Sequence, residues 1–381
     1  MKESGIKIII TGDIHLGGGR VAEYAERVDA DQLFGEFLSL IQEADLSITN
    51  LESPVTDSGS RIEKTGPSLK SSVGSIGVVK KAGFGLVTLA NNHILDYGAE
   101  GLQSTLNECR KNGVHTVGAG MSKKEASTPF LTEISGIKIA ILNIAENEFG
   151  TTQNGKPGGY GLDPVENFNA IISAKVEADH VIVIVHGGHE HYELPSPRMK
   201  KTYRFFADAG ATAVIGHHTH CPSGYEMYKG VPICYSLGNF LFDLPDFNGS
   251  AITPWNEGLI AELTLTKDDL SIRYRPFIQN FESVGIRRMK ADETATFDKK
   301  MNRLNNLIAD DGKLQREFEN YCKKSYQMYS GYIEPHSSRI LHAMRNRNIL
   351  PSLLTQRKKK LLLNLTRCEA HRDVLIKTLQ L

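Results

Sequence analysis

Side chains able to hold metal ions recur at one kind of place in this chain, just past a short apolar run. Residues 181–185 (Val-Ile-Val-Ile-Val) stop at His186-Gly187-Gly188-His189-Glu190, and Ala213-Val214-Ile215 stops at Gly216-His217-His218-Thr219-His220. Three earlier runs behave alike. Residues 7–11 lead into Gly12-Asp13-Ile14-His15, residues 45–49 into Asn50-Leu51-Glu52, and residues 85–90 into Asn91-Asn92-His93 with Asp96 beyond. Imidazole is the commonest protein metal ligand, and a carboxylate has two oxygens with which to bridge two ions. Asp-x-His sets both its side chains on the same side of an extended backbone. Asp13, His15, Glu52, Asn92, His186, His218 and His220 therefore supply nitrogen and oxygen ligands for two divalent ions that share a carboxylate. Such a mixture suits manganese, iron or zinc better than calcium. Two ions of this kind acidify a water and clamp phosphoryl oxygens during in-line attack.

Other residues are candidates for work beside the ions. His93 is placed as a proton donor or oxyanion stabiliser. Asp96 is placed to hydrogen-bond His93 or to cap the helix that begins near Ala99. Glu190 is a candidate partner for a ligand or a substrate contact, and Asn239 a candidate to orient a ligand or substrate group. Arg198, with Lys200 and Lys201, could attract an anionic substrate, although a solvated helix face is the plainer role. His189 and His191 read as loop histidines, and Cys221 as a small buried hydrophobe.

Each run of four to six apolar residues reads as a strand buried on both faces, in a sheet covered by helices. Helical spacing over residues 31–43, 73–82, 102–111, 165–176 and 203–209 separates these runs, which makes the class α/β with ligands at strand ends. Residues 147–161 are glycine-rich and polar, and are expected to form an open loop at the site's mouth. Residues 259–265 and 270–275 alternate as a hairpin closing the main domain. The sequence thus predicts a first domain over 1–287 and a helical, basic region over 288–381.

Composition narrows the class. The 381 residues carry 44 Lys plus Arg against 44 Asp plus Glu, so no global basic field marks a nucleic-acid binder. Five scattered cysteines without a CxxC pair argue for a reducing compartment. No apolar run reaches membrane-spanning length, so a cytoplasmic location is expected. Near the end, Arg357-Lys358-Lys359-Lys360 precedes Leu361-Leu362-Leu363. A basic amphipathic helix there can lie on an anionic membrane surface or dock a protein partner, giving a peripheral location at the inner membrane face, or can pack on the core as a solvated appendage.

Taken together, Gly12-Asp13, Asn50-Leu51-Glu52-Ser53-Pro54, Asn91-Asn92-His93 with Asp96 and Gly98, His186-Gly187-Gly188-His189-Glu190, Gly216-His217-His218-Thr219-His220 and Tyr235-Ser236-Leu237-Gly238-Asn239-Phe240 resemble one family. It is the bacterial capsule-synthesis CapA family of poly-γ-glutamate biosynthesis, which is similar to the calcineurin-like metallophosphoesterases. The resemblance runs from about Lys7 to Phe242. It implies a four-layer α/β/β/α sandwich of metallophosphoesterase type, with metals at the strand ends and a C-terminal helical appendage outside the resemblance. Two departures stand out: Glu52 occupies the place where the phosphoesterases carry a bridging Asp, and Gly187 follows His186 where the capsule family often has Trp.

The resulting expectation is a dinuclear metal-dependent hydrolase, a phosphoesterase linked to capsule or exopolymer biosynthesis. Its substrate would be a phosphorylated or polyanionic small molecule or polymer precursor. Two alternatives share these residues: a non-catalytic exopolymer assembly factor, and a metal-dependent amide hydrolase acting on a γ-linked glutamate polymer.

Overall fold

The strand Ile6–His15 is the axis of the larger sheet. It pairs antiparallel with Glu257–Leu265 on one side and parallel with Leu46–Leu51 on the other. The full order is Ile286–Arg288, Leu270–Gln279, Glu257–Leu265, Ile6–His15, Leu46–Leu51, Leu86–Thr88 and His115–Val117, and Asn239–Phe242 joins the far end of Ile6–His15. A second, six-stranded sheet runs Tyr225–Tyr228, Val231–Cys234, Ala213–His217, His180–His186, Ile137–Ala145 and Phe130–Ile134. The fold is mixed α/β: in the larger sheet one half is parallel and the other antiparallel, and in the smaller the four central strands are parallel with an antiparallel strand at each edge. The computed structural model describes residues 5–367 except 65, 153–154, 245–250, 334–337 and 348, together with 371 and 379.

Strand alternation sorts the apolar residues into two cores. Ile8, Ile10, Ile48 and Leu86 share one core with Ile139, Ile141, Ile182 and Ile184 of the second sheet. Ile9, Ile14 and Val87 turn the other way, onto Phe34, Ile41, Val79 and Leu102 of the preceding and intervening helices. Burial of each such side chain contributes about 1.5–3 kcal/mol. The second sheet's strands are apolar on both faces because the helices Pro164–Glu177 and Pro197–Asp208 contribute Ile171 and Phe206 to the same core.

The first strand runs further than its sequence predicts. A loop is expected from Gly12, yet the strand continues to His15 because both its edges stay occupied. Asp13 and Ile14 pair with Asn50 and Leu51, and residues 13–15 pair with Asn239, Leu241 and Phe242. Gly12 makes that approach possible: a methyl group on it would lie 1.9 Å from the Gly238 carbonyl oxygen. The helix expected over 31–43 is instead three short pieces, Ala30–Phe34, Gly35–Phe37 and Leu38–Gln42. Gly35, with φ 47°, breaks it by leaving helical geometry.

The chain separates into two units, Met1–Leu314 and Gln315–Leu381. The sequence sets a boundary at 287, and the fold carries the first unit further. Helix Ala291–Ala309 has Phe297, Met301, Leu304 and Ile308 on one face, and all four join the core of the first unit. The second unit contains the remainder of the helix Asp311–Tyr332 and the helices Arg339–Asn346 and Gln356–Arg367. In it Lys359 Nζ donates to Tyr326 Oη at 2.6 Å, while Leu361 and Leu363 are exposed. Among the described residues no helix is long and apolar enough to cross a membrane.

Gly12→Ala should lower stability by about 1–3 kcal/mol, since the added methyl meets backbone and not a movable side chain. Urea unfolding monitored by circular dichroism checks this; an unchanged midpoint contradicts the close strand approach.

Candidate metal centre

The ends of both sheets bring six side chains to one buried place. Asp13 lies on the first strand, Glu52 just past Leu46–Leu51, and Asn92 past Leu86–Thr88. His186 ends one strand of the second sheet, and His218 and His220 follow another. Two groups of potential ligands emerge, Glu52 with His186 and His218, and Asp13 with Glu52 and His220. In each, the three ligand atoms lie within 4.8 Å of one another, and Glu52 belongs to both.

Around His186 Nε2, Asn92 Oδ1 lies at 2.9 Å, His218 Nδ1 at 3.1 Å and Glu52 Oε1 at 3.4 Å. His220 Nδ1 donates to Asn239 Oδ1 at 2.9 Å, which leaves its Nε2 lone pair facing Glu52 Oε1 at 3.9 Å. Asn239 thus orients the His220 ring. His218 presents Nδ1 inward and Nε2 toward Glu148 Oε1 at 3.8 Å. Asp13 is held by Asn50 Nδ2 at 2.7 Å and by the His218 backbone N–H at 2.9 Å. That second bond fixes an uncommon backbone, since His218 has φ 90° and His220 φ 57°. Non-glycine residues held there cost about 1–3 kcal/mol each.

Electrostatics set the centre apart from the surrounding core. Burial pushes the Asp13 carboxyl up to about 6 against the lowering effect of its two hydrogen bonds. Glu52 is raised well above the ordinary range by burial, then by the charges of Asp13, Glu190 and Glu148. Burial holds His186 and His220 well below the ordinary histidine value, with neighbouring histidines adding to it. Both Glu52 oxygens are buried without a hydrogen-bond partner. A buried carboxylate in that condition is costly unless paired or bound to a metal. The residues fit divalent cations: acceptor carboxylates, imidazole nitrogens and an amide oxygen, all converging on one unsatisfied carboxylate.

The other expected residues take several positions. His15 lies outside both ligand groups. Its Nδ1 is 3.1 Å from Ser53 Oγ, and its ring packs 5.1 Å from Phe242, which also contacts His220 at 5.0 Å. His93 Nδ1 donates to Asp96 Oδ2 at 2.7 Å. Glu190 is exposed and acts on Glu52 through its charge. Arg198 pairs with Glu146, whose other oxygen accepts from the Gly188 backbone N–H at 3.2 Å. Cys221 is buried, its thiol pushed up to about 12 by burial.

Several contributors carry no sequence signal of their own. Asn50 holds Asp13, and its Oδ1 accepts from Thr88 Oγ1 at 3.2 Å. Asn91 Oδ1 accepts from the His93 backbone N–H at 3.1 Å, and Lys64 Nζ donates to Asp96 Oδ1 at 2.5 Å. Asn50 and Asn91 stand beside predicted ligands in the sequence, whereas Lys64 stands beside nothing.

His217, next to His218 in the chain and outside both ligand groups, gives a test of the electrostatics. Its ring is fully buried, neither nitrogen makes a full hydrogen bond, and a polar approach to the Thr11 backbone offsets burial only in part. Its pKa falls to about 3. The unfolded chain takes up the proton first, so the stability due to the neutral ring is present above about pH 6.5 and drains away toward pH 3. His217→Leu should therefore gain stability relative to the parent by up to about 1.4 kcal/mol per pH unit on acidification below pH 6.5. Urea titrations at several pH values check the slope; parallel curves would contradict a buried neutral ring.

Residues 7–244 match the family described as "Bacterial capsule synthesis protein PGA_cap". The chain is 34% identical over 237 residues to the "PGA biosynthesis protein CapA" of Bacillus subtilis, covering 61% of this chain and 62% of that protein. It is 31% identical over 249 residues to the "Capsule biosynthesis protein CapA" of Bacillus anthracis, covering 62% and 60% respectively. A "Probable polyglutamine synthesis accessory protein" of Mycobacterium tuberculosis is 26% identical over 231 residues, covering 57% and 61%. The match thus spans about three fifths of each relative's length. With more than half its length matched, from the first strand through the last ligand loop, the chain belongs to the bacterial capsule synthesis family PGA_cap.

Proposed function

We propose that this protein is a dinuclear metal-dependent hydrolase of capsule or exopolymer biosynthesis, built as a four-layer α/β/β/α sandwich, and that it cleaves a phosphoric ester. The observation that carries the reading is Glu52, a buried carboxylate with both oxygens unsatisfied and common to two ligand groups. Asp13, Glu52 and His220 would hold one cation, and Glu52, His186 and His218, with Asn92 beside them, the other. His15 joins the first site in this reading, given its place next to His220 across Phe242. Manganese, iron or zinc would supply Lewis acidity and a water acidic enough to attack near neutral pH.

The chain's own residues then have separable tasks. Asn239 fixes the His220 tautomer, and Asn50 with the His218 N–H holds Asp13 in the orientation it needs. His93, with Nδ1 committed to Asp96, keeps Nε2 as the ring nitrogen able to meet a leaving oxygen. The names of the relatives, which speak of capsule biosynthesis and of an accessory protein, support a substrate tied to an anionic polymer or its precursor. Amide hydrolysis of a γ-linked glutamate polymer would use the same groups, and an assembly factor would use the centre for binding alone.

Purified protein supplied with Mn²⁺ should hydrolyse p-nitrophenyl phosphate. Asp13→Ala and His218→Ala should each reduce kcat by about a hundredfold or more while remaining folded. Hydrolysis of a γ-glutamyl amide but no phosphoester would move the activity to the amide bond. Absence of both activities in metal-loaded protein would leave the assembly role.

A further inference from the structure

Among the described residues, 57–64 and 66–70 form no helix or strand, yet three of their groups converge on one aspartate. The Ile62 backbone N–H donates to the Asp96 carbonyl oxygen at 3.0 Å, and the Leu69 N–H donates to Asp96 Oδ2 at 2.7 Å. Lys64 Nζ donates to Asp96 Oδ1 at 2.5 Å and lies 3.2 Å from His93 Nδ1. The Lys64 side chain is 4% exposed and Asp96 0%. Burying an ammonium that deeply is costly unless its geometry is specified by a partner. A segment that needed only an anchor already has two backbone hydrogen bonds to the same residue.

The geometry points to Lys64 as a positioning residue for His93. With only Oδ2 engaged, the Asp96 carboxylate could still turn about its last bond. With Lys64 on Oδ1, and Leu69 N–H and His93 Nδ1 on Oδ2, its plane is fixed. The His93 ring then has one orientation, with Nε2 free for a reacting group. The 57–70 segment thereby becomes part of the centre through a single side chain, and its seating decides whether His93 is in place. The assignment rests on the hydrolase reading only for what His93 does, not for how it is held.

Lys64→Met and Lys64→Arg in the full chain test this in two ways. With Mn²⁺ present, Lys64→Met should lose about tenfold more kcat on phenyl phosphate than on p-nitrophenyl phosphate, because the poorer leaving oxygen needs the positioned proton donor. Lys64→Arg, which keeps a cation on Oδ1, should recover most of that difference; equal losses on both esters overturn the proposal. In the metal-free protein, the hydrogen-bonded Nδ1–H resonance of His93, assigned by its absence in His93→Gln, should vanish or shift in Lys64→Met and return in Lys64→Arg. An unchanged resonance in folded Lys64→Met also overturns it. If the parent protein turns over neither ester, the phosphoesterase reading alone falls, and the resonance still decides whether Lys64 holds His93.

Discussion

The structure depends on keeping one carboxylate, Glu52, away from water with no hydrogen-bond donor on either oxygen. An isolated buried carboxylate is among the costliest things a protein interior can hold. Here a second one, Asp13, lies in the same ligand group, and its charge raises the cost of ionising Glu52. Three imidazoles, those of His186, His218 and His220, surround the pair, and burial disfavours the charged form of His186 and His220. A bound cation would offset the negative charge that the two carboxylates concentrate there. Cation binding and folding stability should consequently be linked, since whatever binds this cluster in the native state stabilises that state.

The two sheets exist, from the site's point of view, to bring ligands together from opposite directions. The larger sheet contributes oxygen, through Asp13 and Glu52, and the smaller contributes nitrogen, through His186, His218 and His220. Their shared core of Ile8, Ile10, Ile139, Ile141 and their neighbours sets the distance between those contributions. The His218 N–H to Asp13 bond spans the two sheets directly and ties a left-handed backbone on one to a carboxylate on the other. Backbone strain at two of the imidazoles is tolerated where the ligand set requires it. Two amides and an acid, Asn50, Asn239 and Asp96, then hold side chains around them by hydrogen bonds.

Much of this was legible in the sequence, for a definite reason. A β-branched run that stops at His or Asp declares both a buried strand and the polar group at its end, so the positions of Asp13, Glu52, Asn92, His186, His218 and His220 could be read together. The placement of Asn239 beside His220 was readable from the same logic. The extent of the first strand was not, because what keeps Asp13 to His15 extended is pairing with Asn239–Phe242, more than two hundred residues away. The break at Gly35 and the boundary after Leu314 likewise depend on tertiary packing. Asn50 and Lys64 escaped notice because a side chain that supports another has no periodicity or motif of its own. His15 lies past a register shift between Asp13 and Ile14, and its Nδ1 contact with Ser53 Oγ is set by the fold and not by the Asp-x-His spacing.

Manganese titration of chelator-stripped protein by isothermal calorimetry, with the parent chain and Glu52→Gln side by side, tests the central claim most directly. If one unsatisfied carboxylate joins two ligand groups, the parent should take up two equivalents per chain, and the Gln variant should lose at least one while staying folded. Fewer than two equivalents in the parent, or two retained by Glu52→Gln with unchanged affinity, would contradict it.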